Sequence, residues 1–152
     1  MYSADVISFA REKGYFDGVN KDFSFADAYA PLDFGARRYC EARVWSYFNM
    51  FTARGNEFLP YILGETNTPM PLFVKPNRKV SVQDVKNAMR DHYEGTPLDI
   101  SKDFGAGPYH TPYRLSPLSF KVGDREYFNE RPISTQQSGF VFVAQMRSEL
   151  PD

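Results

Sequence analysis

Arg131, Ser134, Thr135 and Gln136 fall within one short stretch, Arg-Pro-Ile-Ser-Thr-Gln, and side chains of these types suit the binding of an anion. An arginine fork holds a carboxylate through two parallel hydrogen bonds, and neighbouring hydroxyls and amides can add donors around it. The cluster leads into residues 139–147, Gly-Phe-Val-Phe-Val-Ala-Gln-Met-Arg. That run is apolar on both alternating faces, which predicts a strand covered on both sides and a rigid mount for groups at its end. A blander reading stays open at this point: Arg131 pairs with Glu126 or Glu130, and the hydroxyls satisfy nearby backbone. His110 joins the candidates because Gly-Pro-Tyr-His-Thr-Pro lies inside a long loop, and long loops in small domains are often functional. The candidate substrate-binding set is therefore Arg131, Ser134, Thr135, Gln136 and His110.

Other chemistries lack their residues. His92 and His110 are the two histidines of the chain, and neither sits in an HExxH or CxxC spacing, so no metal site is predicted. Asp91-His-Tyr-Glu94 carries ligand atoms, but a histidine at a helix end more simply offsets the C-terminal dipole. Cys40 falls on the apolar stripe of a helix and reads as a small core residue rather than a nucleophile. There is no G-x-S-x-G elbow and no GxxxxGK[ST] loop, so local motifs supply neither a complete active site nor a cofactor site.

Several elements position these groups. Ser3 is the predicted cap and Gly14 the stop of a first helix, with Val6, Phe9 and Ala10 on its apolar face. Residues 22–29 read either as one helical turn or as a loop packed by Phe23 and Phe25. The strongest helical period covers 35–54, where Cys40, Val44, Tyr47, Phe48 and Phe51 share a face and Gly55 follows. Residues 59–76 carry Pro60, Pro69, Pro71 and Pro76 and read as an irregular connection. Ser81 with Asp84 announces another helix through a near capping box, running to about His92. Residues 95–117 form a long structured loop, and Gly123-Asp124 sits between two short strand patterns as a type II′ hairpin turn. Helices in the first two thirds and strands in the last third make the fold class α+β.

The whole chain has 152 residues, 42% hydrophobic and 16% aromatic, with 14 Phe and 10 Tyr, enough for one folded segment with a core. Net charge is −1 and the basic residues are scattered, which excludes the positive stripe that nucleic acid requires. No apolar run approaches the ~20 residues of a membrane span. A single cysteine leaves the compartment undecided.

Asp91-His-Tyr-Glu-Gly-Thr-Pro-Leu-Asp99, Ala106-Gly-Pro108, Pro112-Tyr-Arg114, Glu130-Arg-Pro-Ile-Ser-Thr-Gln-Gln137 and Val143-Ala-Gln-Met-Arg147 together resemble the C69 dipeptidases, the family of lactobacillar dipeptidase A. The resemblance extends less sharply to the first helix. It implies an N-terminal nucleophile hydrolase with an αββα sandwich, in which a cysteine at the mature N-terminus cleaves dipeptides without a metal. Cys40 does not match that cysteine. The expectation is an internal fragment of a larger dipeptidase, inactive alone and prone to self-association through residues 139–147. The competing expectation is a stand-alone module whose Tyr and Phe surface and 95–117 loop hold a small ligand or glycan.

Overall fold

Val6–Glu12 form helix α1, which starts later than Ser3 suggests: Asp5 takes the N-cap position without a side-chain bond, and Ser3 only accepts the Val6 N–H through its carbonyl. Its end is as expected. Gly14 adopts φ +72°, and the Gly14 and Tyr15 N–H groups donate to the Arg11 and Ala10 carbonyls, a Schellman closure that needs the left-handed residue. The computed structural model describes residues 3–113 and 119–149, in two compact units, Met1–Ala36 and Arg37–Asp152. Arg114, residues 114–117 of the predicted loop and residues 150–152 lie outside the described residues.

In the first unit the 22–29 segment is helical: α2 spans Phe25–Tyr29, with the Ser24 hydroxyl accepting the Asp27 N–H. Tyr29 is its hub. Its ring packs on Phe9, Tyr15, Phe23 and Phe25, and its hydroxyl donates to the Val6 carbonyl. A single turn, α3, closes the unit at Phe34–Ala36.

The second unit opens with a π-helical turn, Arg37–Glu41, that runs into α4, Ala42–Phe51. The predicted helix therefore exists, but its inner face is different. Ala42, Trp45 and Ser46 are buried, whereas Val44 is 40% exposed and Cys40 is exposed. A π turn carries one residue more than an α turn, so a 3.6-residue count that passes through it loses phase. Cys40 is thus corrected from core to surface. Residues 59–76 also needed correction, because Leu59–Leu63 form a short helix, α5, with Tyr61 and Ile62 in the core. Pro60 stands in its first turn, where the missing N–H costs nothing, and Gly64 at φ +82° ends it.

α6, Val82–Ala88, carries the reciprocal Ser81/Asp84 capping box and stops short of His92. Residues from 93 onward turn inward: Tyr93, Leu98 and Ile100 join Ala42, Trp45, Tyr61 and Ile62 in one cluster. The Asp99 carboxylate holds this loop by accepting the Gly95 and Ser101 N–H groups and the Ser101 hydroxyl. β1, Ser119–Val122, pairs antiparallel with β2, Arg125–Phe128. Gly123 at φ +59° is the first turn residue, as type II′ requires.

Residues 139–147 form no strand. Phe140, Phe142 and Met146 are 86%, 78% and 95% exposed. An extended run becomes a strand only when a neighbour supplies the hydrogen-bond ladder, and among the described residues the only sheet is the two-stranded β1–β2 pair. Mixed α and β content in the expected order is present. The described residues alone do not build a sandwich.

Candidate active-site segment

Tyr39, on the π turn, lies beneath the Arg131 guanidinium, 4.3 Å from its Cζ to the ring centroid. Stacking of this kind fixes the plane of the fork while leaving its N–H groups free. The Arg131 backbone is held from the other side, because the Tyr93 hydroxyl donates to its carbonyl at 2.8 Å. Tyr93 is fully buried and sits at φ +65°, a left-handed conformation that a tyrosine adopts only when its surroundings demand it. Burial, first of all, raises its pKa, so its hydroxyl stays a donor throughout the physiological range.

The demand comes from Asp91. One carboxylate oxygen accepts the Tyr93 N–H at 3.1 Å and the other accepts the Ser46 hydroxyl of α4 at 2.7 Å. The Asp91 carbonyl accepts the Ser134 N–H at 3.0 Å. Asp91 thus ties α4, the Tyr93 turn and the segment that follows Arg131 into one network. Its pKa is raised, chiefly by burial, against the pull of the Ser46 and Tyr93 donors.

The bland reading of Arg131 is resolved by its neighbours. Glu130 is engaged by Arg38, in an ion pair whose side chains are only 10% and 14% exposed, and Glu126 accepts the Ser119 hydroxyl. Arg131 has no carboxylate partner among the described residues. It lines instead a pocket of about 380 Å³ together with Arg43, with Pro132 and Ile133 as its apolar part and Thr135, Gln137 and Ser138 as its polar rim. The rim is a tight turn. Ser138 N–H donates to the Thr135 carbonyl, while the Thr135 and Ser138 hydroxyl oxygens accept the Gln137 and Thr135 N–H groups. Each hydroxyl still has its O–H to donate.

Of the five candidates, the structure brings Arg131 and Thr135 together at this pocket. Ser134 faces a separate cavity of about 420 Å³ beside Lys86, Met89, Arg90, Val141 and Val143. Gln136 is exposed and His110, also exposed, occupies a Pro108–His110 turn; neither lines the pocket. Arg43, Tyr39, Tyr93 and Asp91 were missed as site residues. The one sequence signal for Asp91 and Tyr93 was the Asp-His-Tyr-Glu block, which reads as a helix end; Tyr39 and Arg43 carried none. Among the described residues no three His, Cys, Asp or Glu side chains stand close enough to hold a metal.

The family model for Peptidase family C69 matches residues 1–152. The chain belongs to peptidase family C69. A protein from Salmonella dublin, described as a probable dipeptidase, is 30% identical over 151 residues, which is 99% of this chain and 29% of that protein. This C69 chain therefore spans less than a third of the length of the curated relative it matches. No solved structure matches it.

Proposed function

We propose that these residues are an internal segment of a dipeptidase whose nucleophile is an N-terminal cysteine lying outside them, and that the Arg131 pocket receives the substrate's terminal carboxylate. The observation that carries the reading is Arg131 itself: a guanidinium stacked on Tyr39, with no carboxylate partner among the described residues, at a pocket that none of the described acidic residues lines. A dipeptide presents a carboxylate that such a fork recognises by two parallel bonds. Family membership and the probable dipeptidase relative support the substrate class.

In this reading the external thiolate adds to the peptide carbonyl, the tetrahedral adduct expels the second residue's amine with a proton, and water then releases the acyl group. The segment's own part is positioning. Arg131 fixes the carboxylate and so the distance from thiolate to carbonyl, while the Thr135 and Ser138 hydroxyls donate around it. Cys40 supports an external nucleophile. It has no hydrogen-bond partner among the described residues, so no neighbouring group there is placed to take its proton.

Arg131→Lys in the longer enzyme is expected to raise KM about tenfold with kcat nearly unchanged, since an ammonium cannot reproduce the fork. An unchanged KM removes Arg131 from the substrate. The isolated chain is expected to hydrolyse no dipeptide, and metal-independent turnover abolished by Cys40→Ala would overturn the external nucleophile.

A further inference from the structure

We propose that Arg43 is a second carboxylate-binding group of the same pocket, and that it selects dipeptides whose C-terminal residue is aspartate or glutamate. The inference rests on the reading of Arg131 given above and adds the identity of the second residue. Arg43 stands on the first turn of α4 and lines the pocket together with Arg131. The two arginines also flank one tyrosine: burial, above all, raises the Tyr93 pKa and the positive charge of Arg43 opposes that rise, while the Tyr93 hydroxyl donates to the Arg131 carbonyl.

The other arginines of this region are already engaged. Arg37 donates to the Asn67 side chain at 2.9 Å and to the Thr66 carbonyl, and Arg38 is paired with Glu130. Arg43 has no carboxylate and no hydrogen-bond acceptor among the described residues. Among the described residues, those lining the pocket include two cationic ones, Arg43 and Arg131, and no anionic one. Arg43 and Arg131 line one cavity, so an anion that enters it meets two positive charges. A monocarboxylate neutralises one of them and leaves the other charge uncompensated.

An aspartyl or glutamyl C-terminus carries two carboxylates separated by a few bonds, too far apart to share one fork and close enough to fill two. The pocket's 380 Å³ lies at the lower end of the range of about 300–1,000 Å³ for small-ligand sites, which suits a dipeptide rather than a longer peptide. The rim hydroxyls of Thr135 and Ser138 and the amide of Gln137 add neutral donors. No anionic group stands among the described lining residues, and two cationic ones do, so dipeptides ending in lysine or arginine are disfavoured by the same arrangement.

The test uses titration calorimetry at pH 7 on the longer enzyme, its nucleophilic cysteine replaced by alanine so that dipeptides are bound and not cleaved, with glycyl-glutamate and its neutral isostere glycyl-glutamine, for the otherwise wild-type protein, Arg43→Gln and Arg131→Gln, with folding checked by circular dichroism. Glycyl-glutamate is expected to bind about tenfold more tightly than glycyl-glutamine, the gain of one charge-assisted pair. Arg43→Gln should erase that preference and leave the glycyl-glutamine affinity within about twofold, while Arg131→Gln weakens both. Equal binding of the two dipeptides, or a preference that survives Arg43→Gln, overturns the assignment while leaving Arg131 in place. Binding of neither, or no effect of Arg131→Gln, removes the Arg131 reading and this one with it. Should Arg43→Gln not fold, the side-chain Nε–H resonance of Arg43 in the wild type decides: it must shift with glycyl-glutamate and stay with glycyl-glutamine.

Discussion

Asp91 shows how a single buried group sets both local geometry and pH response. Asp91 is buried, its carboxylate accepts from two neutral donors, the Ser46 hydroxyl and the Tyr93 N–H, and burial raises its pKa. The folded protein therefore binds this proton more tightly than the unfolded chain does. The contribution is fully present below the ordinary carboxylate pKa and is lost as pH rises through the raised folded value. Asp91→Asn keeps the shape, accepting the Tyr93 N–H and presenting an amide to Ser46. It should remove that loss, so that its stability relative to the wild type improves from acid to neutral pH in denaturant titrations. A gap that stays constant with pH would count against a raised Asp91. The Arg38–Glu130 ion pair is a second nearly buried charged site. Arg38→Met leaves a nearly buried Glu130 carboxylate without its guanidinium, and a cost of about 3 kcal/mol is expected in urea melts, most of it recovered in a variant that also replaces Glu130 by Gln.

At the scale of elements, what could be read in advance depended on whether the signal was local. The Ser81/Asp84 box, the Gly123-Asp124 turn and the Gly14 stop are short-range chemistry, and all three stand where the sequence puts them. Ser81→Ala should cost about 1 kcal/mol in chemical denaturation, since α6 has only seven residues to share the loss. Elements whose state depends on distant partners were not legible. Pro60 looked like a breaker because its role as a first-turn residue shows only when Tyr61 and Ile62 find the Trp45 cluster. Cys40 looked internal because nothing local announces the π turn. The same holds for the site: Arg131 and Thr135 could be singled out by type, whereas Arg43, some 90 positions earlier in the numbering, meets them only through the fold. Gly55 is the sharpest element-level test. A Cβ there would lie 2.2 Å from the Asn49 Cα, and the Gly55 carbonyl accepts the Trp45 indole N–H at 2.9 Å. Gly55→Ala must therefore push the post-α4 turn away from the helix and disturb the central tryptophan. A loss of at least about 3 kcal/mol, with a shifted tryptophan emission, is the expected outcome. A variant as stable as the wild type would mean that this approach is looser than described.

For the molecule as a whole, residues 139–147 leave large apolar side chains uncovered. Phe140, Phe142 and Met146 stand almost fully exposed next to half-exposed Val141, in a backbone that joins no sheet among the described residues. Such a segment carries both the side chains and the unpaired N–H and C=O groups of a strand edge, the combination that folded proteins ordinarily hide. In the proposed larger sandwich, neighbouring strands would supply both ladder and cover. In the isolated chain, the nearest source of a matching strand is another copy. Multi-angle light scattering over a hundredfold range of concentration should then show mass rising with concentration. The net charge of −1 offers little repulsion to oppose it. Phe140→Lys together with Phe142→Lys places two like charges on one alternating face of the run, and facing copies would bring those charges together. The double variant should remain monomeric with an unchanged far-ultraviolet spectrum, because neither ring contributes to the buried cluster around Trp45. Association that persists in the double variant would move the sticky surface to Leu72 and Phe73, which are 94% and 80% exposed, and would take from residues 139–147 their assignment as an unpaired strand.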